Sequence, residues 1–258
     1  MNPRSVDSVR TAVVTGASAG MGACIARSFA RLGWRVGLGA RREDRLEQVA
    51  GDVREAGGTP FACPLDVSVP RSVADFFAAT EAQFGSIDIV VSNAGICIPG
   101  LAHEVGTEDL AVEVTTNLLG PMYVARRAIP SMIERRSGDL VFISSDTARA
   151  PRPFQGGYSA SKAGVEIYAR TLAMELEGTG IRVSTIRMGP TATEFGRDWP
   201  PAVTKRILES WKHFGLQRNL AFMDPEVVAT AVVHAVTAPK GATLASIELQ
   251  PEGPARGS

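Results

Sequence analysis

The sequence predicts an α/β protein whose single domain, residues 1–258, is a doubly wound sheet of about seven mainly parallel strands with helices on both faces. Short apolar runs alternate with helix-length amphipathic segments from about residue 11 to residue 249, which is the pattern of βαβ units and a parallel sheet. Runs such as Ile89–Val91 and Leu140–Ile143 are apolar throughout, as expected of strands buried on both faces. The 258 residues contain no internal repeat and no low-complexity linker, which favours one domain.

The first half of the chain supplies four strands separated by three helices. The first strand ends in a glycine-rich turn that leads into the first helix, and the second helix is strongly charged. The predicted strands are Thr11–Thr15, Arg35–Gly39, Thr59–Leu65 and Ile87–Ser92, and the predicted helices are about Gly20–Leu32, Arg42–Ala56 and Pro70–Phe84.

The second half begins with two helices, near Thr107–Val114 and Leu118–Arg135. The remaining regular elements are strands at Asp139–Ser144, Ile181–Ile186 and Thr243–Leu249, and helices at about Tyr158–Glu177 and Pro225–Ala238. Residues 191–223 show a less regular pattern. Residues 250–258 are rich in proline and glycine and are expected to fray.

Composition excludes several classes of function. The 27 basic and 27 acidic residues balance, so bulk charge favours neither a nucleic-acid partner nor an anionic membrane surface. No apolar run is long enough to span a membrane, and the N-terminus lacks the apolar core of a signal peptide. Cys24, Cys63 and Cys97 are well separated and odd in number, so neither a disulfide framework nor a zinc motif fits them, and the three histidines are scattered. We expect free thiols, no metal and a cytoplasmic location.

Tyr158 and Lys162 form the first candidate site. They lie four residues apart, a spacing that places two side chains on one face of a helix. A neighbouring ammonium favours the phenolate and lowers the pKa of a tyrosine, which suits a proton donor or acceptor. Ser145 lies 13 residues before the tyrosine. The alternative interpretation of the pair is two neighbours on a surface helix.

A glycine-rich turn is the second candidate site. Gly16, Gly20 and Gly22 follow the first strand directly. Glycines at such a turn let the backbone approach a pyrophosphate, and the helix N-terminus adds amide donors and the positive end of its dipole. The spacing G-x-x-x-G-x-G differs from the general G-x-G-x-x-G fingerprint, and a tight turn without a ligand is the alternative.

These motifs together resemble the short-chain dehydrogenase/reductase family, in the subgroup with TGxxxGxG and YxxxK motifs. The resemblance rests on the glycine turn, on Asn93-Ala94-Gly95 after the fourth strand, and on Asn117, Ser145, Tyr158 and Lys162, all in the family's order and spacing. It extends from about Thr11 to Leu249. It implies a Rossmann-like fold and an oxidoreductase that uses a nicotinamide cofactor.

The resemblance implies a role for each of four catalytic residues. Tyr158 would be the acid/base, and Lys162 would lower its pKa and bind the nicotinamide ribose. Ser145 would bind the substrate oxygen, with Ser144 as the alternative serine. Asn117 would hold a water in a proton relay behind the lysine, or would act only as a helix cap or an amide that stabilises a kink.

The resemblance also implies a dinucleotide site around the carboxyl ends of the strands. Its residues are Gly16, Ser18, Gly20, Met21, Gly22, Arg41, Arg42, Asp66, Val67, Asn93, Ala94, Gly95, Gly189, Thr191 and Thr193, together with Tyr158 and Lys162. Asp66 would contact the adenine or would cap the segment that follows it. Met188 replaces the family's proline, and Thr191 replaces its usual valine or isoleucine.

The end of the second strand predicts which cofactor is bound. An acidic residue there binds the adenosine ribose 2′-hydroxyl of NAD, and an arginine accommodates the 2′-phosphate of NADP. Ala40 occupies the acidic position and Arg41 follows it, so the sequence favours NADP (NADPH) over NAD. One feature that would favour NADP is missing: the residue before the second glycine of the turn is Ala19 and not a basic residue. Alternatively, Arg41 and Arg42 only begin a solvated, charged helix.

In this family the segment after the sixth strand forms a mobile lid over the substrate, here residues 191–223. The lid contains the aromatic residues Phe195, Trp199, Trp211, Phe214 and Phe222. Aromatic side chains in a lid suit a hydrophobic or ring-containing substrate, or they pack within the lid or onto a neighbouring subunit. Arg149 and Arg152 could receive a carboxylate or could lie in a solvated loop.

The expected function is the NADP(H)-dependent interconversion of a secondary alcohol and a ketone, of the carbonyl reductase or alcohol dehydrogenase type. Hydride would come from the nicotinamide, and Tyr158 would be the acid/base. The alternatives are a non-catalytic dinucleotide-binding regulator on the same fold and an NAD-dependent dehydrogenase. The family commonly forms dimers or tetramers through the helices near Leu118–Arg135 and Tyr158–Glu177, so a homo-oligomer is expected.

Overall fold

Seven strands form one parallel sheet in the computed structural model, which describes residues 9–216 and 221–253. The strands are β1 (Thr11–Thr15), β2 (Arg35–Ala40), β3 (Thr59–Pro64), β4 (Ile89–Ser92), β5 (Gly138–Ser145), β6 (Ile181–Met188) and β7 (Ser246–Leu249). Their order across the sheet is β3-β2-β1-β4-β5-β6-β7, and every neighbouring pair is parallel. The predicted fold class is confirmed. Positions 217–220 of the predicted lid and 254–258 of the predicted tail lie outside the described residues.

Helices cover both faces of this sheet. They are α1 (Gly20–Ala30), α2 (Glu43–Glu55), α3 (Pro70–Phe84), α4 (Thr107–Val114), α5 (Gly120–Arg135), α6 (Gly156–Glu175), α7 (Pro201–His213) and α8 (Pro225–Thr237). One apolar core joins α1, α2 and α8 to the sheet, and a second core joins α3, α5 and α6 to the opposite face. Burial of strands on both faces explains why their sequences are apolar without alternation.

The strand order places a crevice between β1 and β4. The chain moves outward from β1 to β2 and β3, then returns to pair β4 with the other edge of β1. At such a reversal, the loops that leave neighbouring strands diverge to opposite faces and leave room for a ligand at the carboxyl ends. The glycine turn after β1 and the Asn93 segment after β4 border this crevice.

Three elements differ from the sequence prediction. Residues 201–213 of the segment predicted as less regular form α7, which starts at Pro201 and buries only Ile207 completely. Thr115–Leu119 forms a π-helical turn that joins α4 to α5, whereas we predicted a separate helix from about Leu118. The last strand begins at Ser246 rather than Thr243, and its four residues pair with Thr185–Met188 of β6.

Among the described residues, no helix combines the length and the apolar character that crossing a membrane requires.

Candidate active site

Four side chains predicted to be catalytic lie buried at the carboxyl edge of β5 and on the helices beside it. Ser145 is the last residue of β5, Tyr158 and Lys162 lie in the first two turns of α6, and Asn117 lies in the π-helical turn. Tyr158 shares a hydrogen bond with the side chain of Ser145. Ser144, the alternative serine, instead donates a hydrogen bond to Glu166 Oε1 at 2.8 Å. The structure therefore places Ser145 beside the tyrosine, as the 13-residue spacing predicts.

Lys162 projects toward both the tyrosine and the sheet. Its Nζ lies 5.7 Å from the centre of the Tyr158 ring and donates to the carbonyl oxygen of Ile143 at 2.9 Å. Burial removes water from the ammonium and lowers the pKa of Lys162 to about 8. The lysine is thus charged at neutral pH and loses its proton in mild alkali.

The pKa of Tyr158 differs from the prediction. We predicted that Lys162 would lower it, but the pKa of Tyr158 is raised, chiefly because burial disfavours the phenolate. The hydrogen bond with Ser145 acts in the opposite direction and is the smaller effect. Tyr158 is therefore a neutral phenol, the form that can donate a proton.

Asn117 is fully buried and ties two segments of backbone together. Its Oδ1 accepts from the amide of Ile96 at 2.8 Å, and its Nδ2 donates to the carbonyl oxygen of Ile96 at 2.7 Å. Nδ2 also lies 3.3 Å from Ser161 Oγ, one residue before Lys162. These contacts make Asn117 the amide that stabilises the π-helical turn, one of the two predicted roles. Its part in a proton relay stays a prediction.

Ser145 belongs to a wider polar group. Its Oγ accepts from the amide and hydroxyl of Thr147 at 3.2 and 3.1 Å and lies 3.3 Å from Asp146 Oδ1. Arg152 donates hydrogen bonds to both carboxylate oxygens of Asp146, at 2.8 and 2.6 Å. Its guanidinium also lies over the ring of Trp211, 5.3 Å from the ring centre. Arg152 is therefore committed to an internal ion pair.

The glycine turn brings the start of α1 against the end of β4. Gly16 and Gly20 have φ values of +66° and +51°, which L side chains rarely adopt. A Cβ on Gly22 would overlap the carbonyl oxygen of Gly16 and lie 2.8 Å from Asn93 Nδ2. Asn93 Nδ2 in turn donates to the carbonyl oxygen of Thr15 at 2.9 Å. The backbone amides at the start of α1 therefore face the crevice without side chains in the way.

One cavity connects the glycine turn to the catalytic group. Its volume is about 1480 Å³, above the roughly 300–1,000 Å³ of sites for drug-sized ligands. With the exception of Gly22, which lies behind the turn, every predicted cofactor-binding residue lines it, and so does Ser145. The length and the lining of this cavity fit an extended dinucleotide together with a small substrate.

Basic side chains border the end of the cavity farthest from Tyr158. Arg41 and Arg42 line this end, and Arg42 Nε and Nη2 lie 3.3 and 3.1 Å from Ser18 Oγ in the glycine turn. Asp66 accepts from the amide and hydroxyl of Ser68 at 2.9 and 2.6 Å. Asp66 therefore does cap the segment after β3, and it also lines the cavity. The planar guanidinium of an arginine at this position can bind a phosphate through two parallel N–H donors.

Aromatic residues of the predicted lid lie near Tyr158. The ring of Phe195 is 5.4 Å from that of Tyr158. Trp199 Nε1 donates to the carbonyl oxygen of Cys97 at 3.2 Å, and Trp211 Nε1 donates to that of Pro153 at 3.1 Å. Phe222 also lines the cavity, whereas Phe214 lies outside it against His213. Four of the five predicted aromatic residues therefore face the cavity.

Sequence reasoning missed two ionisable groups near Tyr158, Cys97 and Glu113. Cys97 and Gln155 line the cavity, and the buried carboxyl group of Glu113 accepts from the amide of Ile98 at 2.9 Å. Burial raises the pKa of both Glu113 and Cys97. The only available signal was that Cys97 follows Asn93-Ala94-Gly95 at the carboxyl end of a strand. Within the described part of the chain, no cluster of His, Cys, Asp or Glu could hold a metal ion.

Comparison with known proteins agrees with this geometry. A family model described as short chain dehydrogenase matches residues 10–203. The chain is 31% identical over 242 residues to the NADP-dependent 3-hydroxy acid dehydrogenase YdfG of Shigella flexneri, covering 93% of this chain and 94% of that protein. It is also 33% identical over 249 residues to the glycine betaine reductase ATRR of Emericella nidulans, but spans only 19% of that protein's length.

Two solved structures with the same fold contain NADP+ or a derivative of NADP. An alcohol dehydrogenase from the archaeon Thermococcus sibiricus, complexed with 5-hydroxy-NADP, matches with a TM-score of 0.81 and 30% identity over 94% of this chain and 96% of that one. The closed form of a serine dehydrogenase complexed with NADP+ matches with a TM-score of 0.80 and 31% identity, covering 93% of each chain.

Proposed function

Because this chain belongs to the short-chain dehydrogenase/reductase family, we propose that it interconverts a secondary alcohol and a ketone with NADP(H) as its cofactor. Family membership makes the chain an NAD(P)-dependent oxidoreductase. The cofactor is NADP(H), in agreement with Arg41 and Arg42 at the cavity end and with the NADP complexes of its structural relatives. The observation that carries the proposal is that Ser145, Tyr158 and Lys162 lie together at the edge of a cavity of dinucleotide size, with Lys162 one helical turn after the tyrosine.

The proposed mechanism assigns one task to each side chain. Bound NADPH supplies the hydride that reduces the carbonyl carbon. Tyr158 holds the proton that passes to the carbonyl oxygen, and its burial keeps the phenol protonated until then. Ser145 binds the same oxygen and stabilises the negative charge that develops on it. The Lys162 ammonium, charged below about pH 8, stabilises the phenolate that remains.

A hydroxy acid, with its oxo acid, is the first substrate class to test. Two relatives that cover more than nine-tenths of this chain are a 3-hydroxy acid dehydrogenase and a serine dehydrogenase. Arg149 lines the cavity and is 67% exposed, so it offers a positive charge for a substrate carboxylate. Its one ion-pair contact within the described chain is Glu248, at 3.9 Å.

The test combines a substrate panel with one substitution. The panel contains 3-hydroxy acids, their esters and simple secondary alcohols, and turnover is followed by the absorbance of the nicotinamide. Tyr158→Phe should lower turnover of any active substrate by about 10²–10⁴-fold, while NADPH binding, measured by fluorescence, is kept. Tyr168→Phe is the matched control, because Tyr168 lies on the same helix and packs against Phe142 instead.

Two results would count against the proposal. Full activity of Tyr158→Phe would remove the tyrosine from the mechanism. Tight NADPH binding without turnover of any alcohol or carbonyl compound would favour the alternative of a dinucleotide-binding regulator.

Assembly and location stay predictions. Exposed apolar side chains on α4 and α6, namely Leu110, Val112, Ile167 and Met174, support association into a homodimer or tetramer, which light scattering of the purified protein would measure. The balanced charge and free thiols support a cytoplasmic location.

A further inference from the structure

Glu194, in the predicted lid just after Thr193, lies between two arginines of the second βα unit. Its Oε2 is 3.7 Å from Arg42 Nη1, and its Oε1 is 3.6 Å from Arg45 Nη1. Glu194 and Arg42 both line the cavity. One carboxylate thus spans from the lid to the end of the cavity farthest from Tyr158.

Arg42 has a second polar partner on its other side. Its Nε and Nη2 face Ser18 Oγ in the glycine turn, so only the Nη1 side is directed at Glu194. Arg42 therefore holds a fixed position between the glycine turn and the lid. Arg41 and Arg42 are the same residues that the NADP(H) assignment places at the 2′-phosphate.

A phosphate at this position and the carboxylate of Glu194 are both negatively charged. They would therefore repel each other and compete for the guanidinium of Arg42. The 2′-phosphate carries between one and two negative charges near neutral pH, and arginine binds phosphate best when two of its N–H donors are free for a bidentate contact. The three side chains are 44–52% exposed, and neither ion pair is within hydrogen-bonding distance. Glu194 is thus a weakly held competitor rather than a fixed structural partner.

We propose that Glu194 is a specificity-determining residue that weakens binding of the 2′-phosphate and so reduces the preference of the protein for NADP(H) over NAD(H). This proposal builds on the NADP(H) assignment above and does not depend on the reaction. The carboxylate neutralises part of the positive charge of Arg42 and Arg45. The same carboxylate has no phosphate to oppose when the adenosine ribose carries only a hydroxyl group.

The experiment measures binding rather than turnover. Dissociation constants of NADPH and NADH are determined by fluorescence, and those of 2′,5′-ADP and ADP by calorimetry, for the parent protein and Glu194→Gln. Glu194→Gln should bind NADPH and 2′,5′-ADP about two- to fivefold more tightly, the range of an exposed ion pair, with little change for NADH and ADP. The gain should shrink as salt is added, since salt screens exposed charges.

Two further variants make the result decisive. Glu209→Gln removes the same charge from the same lid, but Glu209 does not line the cavity and its ion-pair partner is Lys205, at 3.9 Å, so its binding constants should match those of the parent protein. Glu194→Lys reverses the charge and should extend the gain for NADPH. Unchanged or weaker NADPH binding in Glu194→Gln, or an equal gain for NADH, would overturn the proposal. Absence of turnover would refute the proposed reaction but would leave these binding results standing.

Discussion

Burial acts on Tyr158 and Lys162 in the same direction, toward their neutral forms. It raises the pKa of the phenol and lowers that of the ammonium to about 8. The tyrosine therefore keeps its proton across the neutral range, whereas the lysine changes charge at its upper end. The two groups control different parts of the pH dependence of the reaction.

We predict that kcat/KM for ketone reduction falls as the pH rises through about 8, the pKa of Lys162. Below that pH the ammonium is present to stabilise the phenolate, and above it that stabilisation is lost. Tyr158 remains a proton donor on both sides of this transition because its pKa is raised. Steady-state rates between about pH 6 and pH 10 would show the decline.

Lys162→Met provides the comparison for this pH profile. Its activity should be lower at every pH and should show no transition near pH 8, since the titrating group is gone. A parent enzyme whose kcat/KM stays constant across that range would contradict the assignment of the transition to Lys162.

At the scale of single residues, the sequence predicted which residues form the site better than it predicted the surroundings of their side chains. The spacing to Tyr158 selected Ser145 over Ser144, and the structure agrees because Ser144 is directed to Glu166. Spacing carries no information about how much water surrounds a side chain, so the predicted direction of the shift in the Tyr158 pKa was wrong. Glu113 escaped notice because only tertiary packing brings it close to the tyrosine.

At the scale of elements, the glycine turn depends on the close approach of two backbone segments. A Cβ at position 22 would have no space between Gly16 and Asn93. Asn93 also holds the end of β1, since its backbone amide donates to Thr15 Oγ1 at 3.0 Å. The turn and the end of β4 are therefore one packed unit.

We predict that Gly22→Ala destabilises the protein by about 1–3 kcal/mol, the usual cost of forcing extra volume into a packed site. NADPH affinity should fall by about tenfold, equivalent to about 1.4 kcal/mol, because the amides of the turn are pushed from their positions. Urea unfolding and fluorescence titration measure the two effects.

Gly51→Ala is the matched control for this change. Gly51 lies inside α2, and a Cβ there meets nothing within 4 Å. This variant should be stabilised by about 0.5–1 kcal/mol, the helix preference of alanine over glycine, with unchanged NADPH affinity. Equal losses of affinity in both variants would refute the role of close packing at Gly22.

Most elements were predictable because each carries its own local pattern. Strands buried on both faces and helices with an apolar stripe are visible in one stretch of sequence. Helix α7 has an amphipathic pattern of its own, and it was missed because residues 191–223 were interpreted together as one irregular lid. The π-helical turn at Thr115–Leu119 was missed because it is held by contacts of Asn117 with the backbone of Ile96, which lies 21 residues earlier in the chain.

At the scale of the whole molecule, a buried charge network closes the end of the sheet opposite the active site. Asp139 of β5 forms ion pairs with Arg10, which precedes β1, and with Arg182 of β6. Both arginines also donate to the carbonyl oxygen of Val236 near the end of α8, at 2.7 and 2.8 Å. The network joins three strands and a helix that lie far apart in sequence, so no local sequence pattern predicts it.

We predict that Asp139→Ala lowers the free energy of unfolding by about 3–5 kcal/mol, because it leaves two buried guanidinium groups without their shared counter-ion. Asp75→Ala is the control: it breaks the exposed Arg71–Asp75 pair on α3 and should cost about 0–1 kcal/mol. Urea unfolding of the three proteins gives the comparison.

Kinetics separate this structural role from catalysis. Asp139 lies at the amino end of β5, whereas Ser145 ends the same strand, so the two are a full strand length apart. Well below its unfolding temperature, Asp139→Ala should therefore keep the KM and kcat of the parent enzyme while its Tm falls. If kcat fell in proportion to stability, the two ends of the sheet would be coupled, and the separation of the supporting network from the reacting groups would be wrong.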